Sequence, residues 1–239
     1  MKQDLEEHGF VVVKDVFQAK QVDNILKIIG RVDISNPVFR KSKELFAIRQ
    51  FFKQIPEVVD AVMQPGLKHI IHEIAGSDYF IVKSIYFDKP STSNWFVSWH
   101  QDLTISVDKK INVTGFGPWT VKEGQFAVQP PLAILEDNFT IRVHLDDTTK
   151  ENGALKVIPQ SHLKAIYRAE TIDWQKEREI DCEVPMGGIM IMKPLLLHSS
   201  GRTTNNESRR VIHIEFSRSE LPVGLQWAEL VPRQLAGEI

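Results

Sequence analysis

The chain of 239 residues lacks several features that mark particular classes of protein. It has one cysteine, Cys182, so a disulfide within the chain and a cysteine-based zinc site are both excluded. Acidic residues slightly outnumber basic ones, 31 to 29, which leaves a formal net charge of -2. No excess of positive charge favours nucleic acid or an anionic membrane surface, and neither is expected as a partner.

Long apolar runs are also missing. The longest, residues 10–13 and 187–192, are far short of the roughly 20 residues that a bilayer-spanning helix needs. The first residues show neither the basic region nor the apolar region of a signal peptide. A single cysteine suits a reducing compartment. We therefore expect a cytoplasmic protein that does not enter a membrane.

Residues 1–77 show mainly helical patterns. Residues 9–13 predict a strand, and residues 18–29 predict a helix that ends at Gly30. Residues 40–76 indicate two helical pieces that separate near Pro56. The apolar positions of the first helix recur at helical spacing: Val22, Ile25, Leu26 and Ile29.

The pattern changes after residue 78, where short β-branched runs alternate with turn residues. The runs are residues 79–87, 140–145, 154–158, 188–192 and 210–217. Short strands after a helical part predict an α+β fold with a jelly-roll core, that is, a double-stranded β-helix. We predict one domain over residues 1–239, with a helical layer at 1–77 on one face of a core at 78–239.

An insertion over about residues 108–138 interrupts this core. It is rich in proline and aromatic residues, and its pattern is poor in regular structure. Long ordered insertions often carry function. Phe116 and Trp119 are therefore candidates for a lid.

A possible metal site comes from two separate motifs. His100 and Asp102 are two positions apart, and in a strand such residues point to the same side. His198 follows three leucines after a predicted strand. Two histidines and one carboxylate can form the facial triad of non-haem Fe(II) oxygenases, which leaves coordination positions open for cosubstrate and dioxygen.

Arg209 follows His198 by eleven residues and opens a strand that is otherwise mostly apolar. A buried arginine needs an anion, and guanidinium pairs with carboxylate through two hydrogen bonds. A dicarboxylic oxoacid could bind iron at one end while Arg209 holds the distal carboxylate, with a further hydrogen bond from Ser200. The alternative is that Arg209 and Arg210 form a solvated or salt-bridged pair.

Together these segments resemble the phytanoyl-CoA dioxygenase family of Fe(II)/2-oxoglutarate oxygenases. The similar segments are EHGFVVV (7–13), WHQDL (99–103), HLDD (144–147), ENGALKVIP (151–159), Ser161-His162, PLLLHSSG (194–201) and Arg209. Each segment alone is a motif of low specificity, but the order and spacing of all of them together are specific. One departure is Gln160, where the family usually has glycine.

The resemblance implies a jelly roll in which His100, Asp102 and His198 bind Fe(II) and in which Arg209 and Ser200 bind 2-oxoglutarate. It also implies that Gly153 is structural. Because related halogenases have a small residue at the position of Asp102, the carboxylate indicates hydroxylation rather than halogenation. The expected partners are dioxygen and a small-molecule substrate whose identity, like the oligomeric state, the sequence does not indicate.

Further residues are candidates on weaker grounds. Lys83, on the strand before the metal motif, is a possible second contact to 2-oxoglutarate. Arg142 shares one face of a predicted strand with Thr140 and His144, and these three either line a polar pocket or face solvent. Trp99 flanks His100 and is a candidate for the substrate pocket.

Two other interpretations stay open. A cupin-type metalloenzyme that does not use 2-oxoglutarate would also have a jelly roll, although cupins typically offer a His-x-His pair that is missing around His100. A non-catalytic member of the family could bind a ligand or partner through the same residues.

Overall fold

The computed structural model describes residues 1–32, 40–41, 46–91, 93, 95–122 and 124–231. Residues 42–45 of the second predicted helical region, Glu123 of the insertion and the last residues of the predicted domain, 232–239, lie outside the described residues. The described α-helices are α1 (Lys2–His8), α2 (Ala19–Ile29), α3 (Phe51–Gln54), α4 (Val58–Val62), α5 (Pro65–Ala75) and α6 (Leu132–Asp137).

Strands dominate the rest of the chain. They are β1 (Phe10–Val13), β2 (Arg40–Lys41), β3 (Phe46–Arg49), β4 (Phe80–Lys89), β5 (Val97–His100), β6 (Ile105–Val107), β7 (Trp119–Lys122), β8 (Gln125–Val128), β9 (Phe139–His144), β10 (Leu155–Val157), β11 (Ile180–Cys182), β12 (Ile189–Met192), β13 (His198–Ser200) and β14 (Arg209–Ser217).

The strands form two main antiparallel sheets and a small third one. The larger main sheet has the order β1-β12-β9-β14-β4-β3-β2, and the smaller has the order β11-β10-β13-β5. Strands β6, β8 and β7 form the third sheet. Two facing antiparallel sheets whose neighbours are distant in sequence are the arrangement of a jelly roll. The predicted fold class is confirmed.

A helical layer covers the outer face of the seven-stranded sheet. Helix α2 buries Val22, Ile25 and Ile29 and ends at Gly30, and α5 begins with Pro65 at its first turn, where proline costs no hydrogen bond. These side chains join one apolar cluster with the outward residues of the sheet. The outward sheet residues in that cluster include Ile141, Val143, Ile189, Ile191, Ile212 and Ile214.

Two expectations about secondary structure are wrong. Residues 46–49, predicted as helix, form β3, because Ala47 and Ile48 are buried where this strand pairs with β4 and tertiary pairing outweighs local spacing. The insertion at 108–138 is not poor in regular structure, since it forms β7, β8 and α6.

The two lid candidates, Phe116 and Trp119, pack partly buried against a second apolar cluster. That cluster contains Val82, Ile105, Val107, Val128, Leu135, Leu195, Leu225 and Trp227. Within the described part of the chain, no helix combines the length and apolarity needed to cross a bilayer.

Candidate metal centre

His100, Asp102 and His198 come together at the open end of the space between the two main sheets. One ligand atom from each lies within 4.8 Å of the others. The Nε2 atoms of His100 and His198 are 3.8 and 3.9 Å from the two oxygens of Asp102. This spacing fits a single ion shared by two imidazoles and one carboxylate.

Backbone carbonyls hold both imidazoles in the tautomer that a metal requires. The Nδ1 atom of His100 lies 2.8 Å from the carbonyl oxygen of Ser98, and that of His198 lies 2.8 Å from the carbonyl oxygen of Leu196. A carbonyl only accepts, so each Nδ1 carries the proton and each Nε2 keeps its lone pair. Both lone pairs are therefore available toward Asp102 and an ion.

A β-bulge in β5 directs His100 into the cavity. His198 pairs with His100 and Ser200 pairs with Val97, so Ser98 and Trp99 together stand opposite the single residue Ser199. An extra residue shifts the alternation of a strand. As a result both Val97 and His100 line the cavity although they are three positions apart.

The loop after β5 is anchored where it carries Asp102. The backbone N–H of Asp102 donates to the carbonyl of Pro194 at 2.9 Å, which ties the loop to the segment before His198. The side chain of Gln101 donates to the carbonyls of Leu195 and Ala165, at 2.5 and 2.9 Å. These contacts join the two separate metal motifs of the sequence.

The protonation states also suit a cation. Burial would raise the pKa of Asp102, but His198, His213 and Lys83 lower it to about 2. Burial lowers the pKa of His198 to about 4 against the attraction of Asp102. At neutral pH the carboxylate is therefore ionised and His198 is neutral, which are the forms that bind metal.

A cavity of about 270 Å³ surrounds the three ligands. Its walls come from both main sheets. It is lined by Ala47, Arg49, Lys83, Ile85, Phe87, Trp95, Val97, His100, Asp102, Arg142, Leu155, His198, Ser200, Arg209 and His213.

Positive charge is concentrated at and just behind one part of the cavity wall, where Arg209 lines the cavity and Lys89 lies beside it. Arg209 and Lys89 pair directly across β14 and β4, and they are 4% and 1% exposed. Arg209 and Ser200 both donate to the carbonyl oxygen of Gly153, and Lys89 donates to that of Gly201 at 2.8 Å. The Nε of Arg209 is buried without a hydrogen-bond partner among the described residues. Like charges opposite each other in a sheet destabilise it unless an anion joins them.

These cations have shifted proton affinities. Burial and the neighbouring Arg142 lower the pKa of Arg209 to about 9. Burial and Arg209 lower the pKa of Lys89 to about 8. Both pKa values are lowered first by burial and then by a neighbouring cation, with no carboxylate acting against either change, and a bound anion would favour the charged forms.

Gly153 has a structural role that agrees with the expectation. Its φ is +88°, and a Cβ here would lie 2.7 Å from the carbonyl oxygen of Gly201 and 2.8 Å from the Nζ of Lys89. Only glycine fits this position. Its carbonyl is thereby free to receive Arg209 and Ser200.

A chain of buried polar contacts crosses the wall behind Asp102. Arg142 Nη1 lies 3.2 Å from His213 Nδ1, and His213 Nε2 lies 3.0 Å from Glu215 Oε1. Lys83 donates to the same carboxylate oxygen at 2.6 Å. Lys83 lines the cavity, but Glu215 already neutralises it, and its assignment to 2-oxoglutarate stays a prediction.

Of the remaining candidates for substrate contacts, some line the cavity and others do not. Arg142 lines the cavity, whereas Thr140 and His144, although buried on the same sheet face, are outside its lining. His144 instead contacts Thr148, with Nδ1 2.7 Å from Oγ1. Trp99 packs against Trp174 with ring centroids 5.7 Å apart and does not line the cavity, because adjacent residues of a strand point to opposite sides and His100 points into the cavity.

Three residues in or beside the cavity wall are not among the candidates from the sequence: Lys89, Glu215 and Arg49. Lys89 and Lys83 are six positions apart on one strand, so strand alternation could have placed both on the cavity side. Glu215 follows His213 by two and carries the same signal. The helical spacing of the segment that forms β3 concealed Arg49.

The sequence matches a known family along most of its length. Residues 5–211 match the family described as Phytanoyl-CoA dioxygenase (PhyH). The chain belongs to the PhyH family. The resemblance inferred from the motifs is thereby confirmed. No curated protein matches the sequence.

Solved structures share the PhyH chain's fold at low sequence identity. The carbocyclase SnoK from nogalamycin biosynthesis, described as non-heme and alpha-ketoglutarate dependent, is 15% identical, with TM-score 0.69 over 97% of this chain and 86% of that one. The epimerase SnoN, in complex with Fe3+, alpha-ketoglutarate and nogalamycin RO, is 14% identical, with TM-score 0.68 over 97% and 94%. EvdO2 from Micromonospora carbonacea var. aurantiaca, complexed with 2-oxoglutarate, is 15% identical, with TM-score 0.65 over 98% and 94%.

Proposed function

We propose that this PhyH-family chain is an Fe(II)/2-oxoglutarate-dependent dioxygenase that hydroxylates a small molecule and releases succinate and CO2. The observation that carries the proposal is the juxtaposition, in one cavity, of a metal-binding triad and a buried cationic wall that no carboxylate of the described residues pairs. The triad accounts for a divalent ion, and the wall accounts for the distal carboxylate of 2-oxoglutarate.

In this proposal His100, Asp102 and His198 would hold Fe(II) through two Nε2 atoms and the carboxylate. Arg209 and Ser200 would hold the C5 carboxylate, since both already point at one carbonyl oxygen and can turn to an anion. Fe(II) with 2-oxoglutarate would supply the activation of dioxygen that cleaves a C–H bond. A structure of SnoN contains Fe3+ and alpha-ketoglutarate, and one of EvdO2 contains 2-oxoglutarate, each in the same fold, which supports the assignment.

The protein's own residues would orient and isolate the reaction. The carbonyls of Ser98 and Leu196 hold the two imidazoles in one tautomer, and the Pro194 carbonyl holds the Asp102 loop. Phe87, Trp95 and Val97 give the cavity an apolar side that would exclude water from the reacting carbon.

Hydroxylation is the specific reaction that we propose among the oxidations open to such an enzyme. Structural neighbours include a carbocyclase and an epimerase as well as a monooxygenase, so the fold admits several outcomes of C–H cleavage. Asp102 occupies the position whose replacement by a small residue marks the halogenases, so its carboxylate supports an oxygenation without halide. The proposed product is therefore an alcohol.

The experiment titrates 2-oxoglutarate anaerobically into Fe(II)-loaded wild-type protein and the His198→Ala variant, and follows heat and visible charge-transfer absorption. Saturable binding with the absorption band in the wild type alone would support the site. Incubation in air with a metabolite mixture should then give a product that gains one oxygen atom in mass. Absence of both binding and absorption in the iron-loaded wild type would contradict the proposal.

A further inference from the structure

A second cavity adjoins the one that holds the triad. It has a volume of about 210 Å³ and shares Arg49, Lys83 and Ile85 with the first. Its other walls come from β6, from β8 of the insertion and from the segment near Glu229. Because three side chains line both, the two cavities meet along one edge formed by β3 and β4.

Arg49 at this junction has no acidic partner among the described residues. Its Nη1 lies 3.4 Å from the side-chain oxygen of Gln125, which is a neutral amide. The other cation at the junction, Lys83, is neutralised by Glu215 at 2.6 Å and is close enough to Arg49 to feel its repulsion. Within the described part of the chain, the guanidinium of Arg49 is therefore the free charge at the point where the cavities join.

The two acidic residues that line the second cavity, Asp108 and Glu229, accept hydrogen bonds from other groups than Arg49. An oxygen of Asp108 accepts from the backbone N–H of Gln226 at 2.8 Å. Glu229, 3% exposed, accepts from both the N–H and the hydroxyl of Ser84 at 2.6 Å. Lys53 adds a further cation to this cavity. Asp108 and Glu229 thus accept hydrogen bonds from other groups, and among the described residues no carboxylate forms an ion pair with Arg49.

Space in the first cavity limits where a substrate can lie. Under the proposed function, 2-oxoglutarate occupies the end at Arg209 and Ser200. A substrate that brings a carbon to the triad can extend from this cavity on the side of Arg49, where the second cavity adjoins it. Arginine holds a carboxylate or sulfonate through two hydrogen bonds.

We propose that the two cavities form one substrate cleft and that Arg49 selects an elongated small molecule with an anionic group. The anionic group binds at the junction while another carbon of the same molecule lies at the triad. This inference rests on the proposed function and names the substrate class of the same site.

The test measures binding to the full chain loaded with Mn(II) and saturating 2-oxoglutarate, which fills the Arg209 end. The probes are matched pairs, 4-phenylbutyrate against 4-phenylbutanamide and octanoate against octanamide, titrated by calorimetry. The proteins are wild type, Arg49→Gln, Arg49→Lys and the control Arg31→Gln, whose arginine is exposed and lines neither cavity.

We expect the wild type and Arg31→Gln to bind at least one acid about tenfold more tightly than its amide, since a charge-assisted hydrogen bond supplies this discrimination. The preference should fall below about twofold in Arg49→Gln and be partly kept in Arg49→Lys. Equal binding of acids and amides by the wild type, no binding of either, or a preference that survives in Arg49→Gln would overturn the inference. Failure of the wild type to bind 2-oxoglutarate at the outset would instead contradict the proposed function.

Discussion

The seven-stranded sheet has two faces of opposite chemistry, although alternate residues of the same strands build both. On β9 and β14, Ile141 and Ile214 point outward into the helical layer, whereas Arg142, Arg209 and His213 point inward to the cavity. Burial of each outward side chain stabilises the fold by about 1.5–3 kcal/mol. The inward arginines are 8% and 4% exposed and lack carboxylate partners among the described residues, so their burial costs stability. The outer face therefore holds the fold together, and the inner face is maintained for binding.

Neighbouring arginines on opposite faces of β14 should differ most in their effect on 2-oxoglutarate binding. Arg209→Met should weaken 2-oxoglutarate binding by at least about 30-fold without lowering the melting temperature, because it removes a buried charge that only the cosubstrate pairs. Arg210→Met is the control. Arg210 is bonded to Asp146 at 2.6 and 2.9 Å on the other side, so its loss should leave binding unchanged. Calorimetry and thermal unfolding of both variants check this.

Equal loss of 2-oxoglutarate affinity in the two variants would show that Arg209 acts through the fold. A large fall in melting temperature for Arg209→Met would show that the inner face stabilises the protein as the outer one does.

A change on the outer face should have the converse effect. Ile214→Ala should lower the free energy of unfolding by about 2–5 kcal/mol, since it leaves a cavity between sheet and helices. The affinity of the remaining folded protein for 2-oxoglutarate should stay the same. Ile180→Ala is the control, because Ile180 is 45% exposed and its change should stay within about 0.5 kcal/mol. Urea unfolding measures both, and a weaker effect for Ile214→Ala than for Ile180→Ala would contradict the account.

The inner face should also make stability depend on pH. The pKa of Lys89 is about 8 in the folded chain against 10.5 when unfolded, so between these values the unfolded chain binds more protons and stability rises with pH. Cys182 and Tyr79, whose pKa values are raised to about 12 by burial, act in the opposite direction at high pH. The quantity to measure is therefore the difference in unfolding free energy between wild type and Lys89→Met.

Relative to Lys89→Met, the wild type should gain unfolding free energy as the pH rises above about 8. Saturating 2-oxoglutarate should flatten the change, because a bound dicarboxylate favours the charged lysine. A difference that is independent of pH without cosubstrate would contradict the cationic character assigned to this wall.

A residue with strained backbone, outside both faces, should change the free energy of unfolding only slightly. Gln160 has φ +65°, a left-handed conformation that costs a residue with a side chain about 1 kcal/mol. Gln160→Gly should raise the free energy of unfolding by up to that amount, whereas Gln160→Ala should not. The family's usual glycine at this place has the same physical reason. No gain for the glycine variant in urea unfolding would show that the strain is relieved by other contacts.

Much of the inner and outer faces could be predicted from alternation in the sequence. Alternation on β14 correctly separated Arg209 and His213 from Arg210 and Ile212, because a strand repeats every two residues. The spacing of His100 and Asp102 indicates one shared site, but Asp102 lies on the loop after β5, so strand alternation is not what brings the two side chains together. The fold class and the family were both recoverable from such patterns.

What the sequence did not reveal depends on contacts between distant segments. The bulge opposite Ser199 has no local signal in the sequence, so the place of Val97 in the cavity wall is not predictable from alternation. Trp99 is a candidate only because it flanks His100, and as its immediate neighbour it points to the other side of the strand. The strand character of residues 46–49 comes from pairing with β4, and with it Arg49 was missed. Buried partners such as Glu215 for Lys83 likewise appear only when strands are placed side by side.

Succinate formation from 2-oxoglutarate, by anaerobically purified protein after Fe(II) and air are added, is the decisive measurement for the proposed reaction. Wild type is compared with His198→Ala, which removes an Nε2 ligand held by the Leu196 carbonyl, and with His69→Ala on helix α5, outside the cavity lining. The account predicts slow succinate formation that requires iron and His198 but not His69. No succinate from any protein, with no binding of 2-oxoglutarate to the iron-loaded wild type, would contradict it.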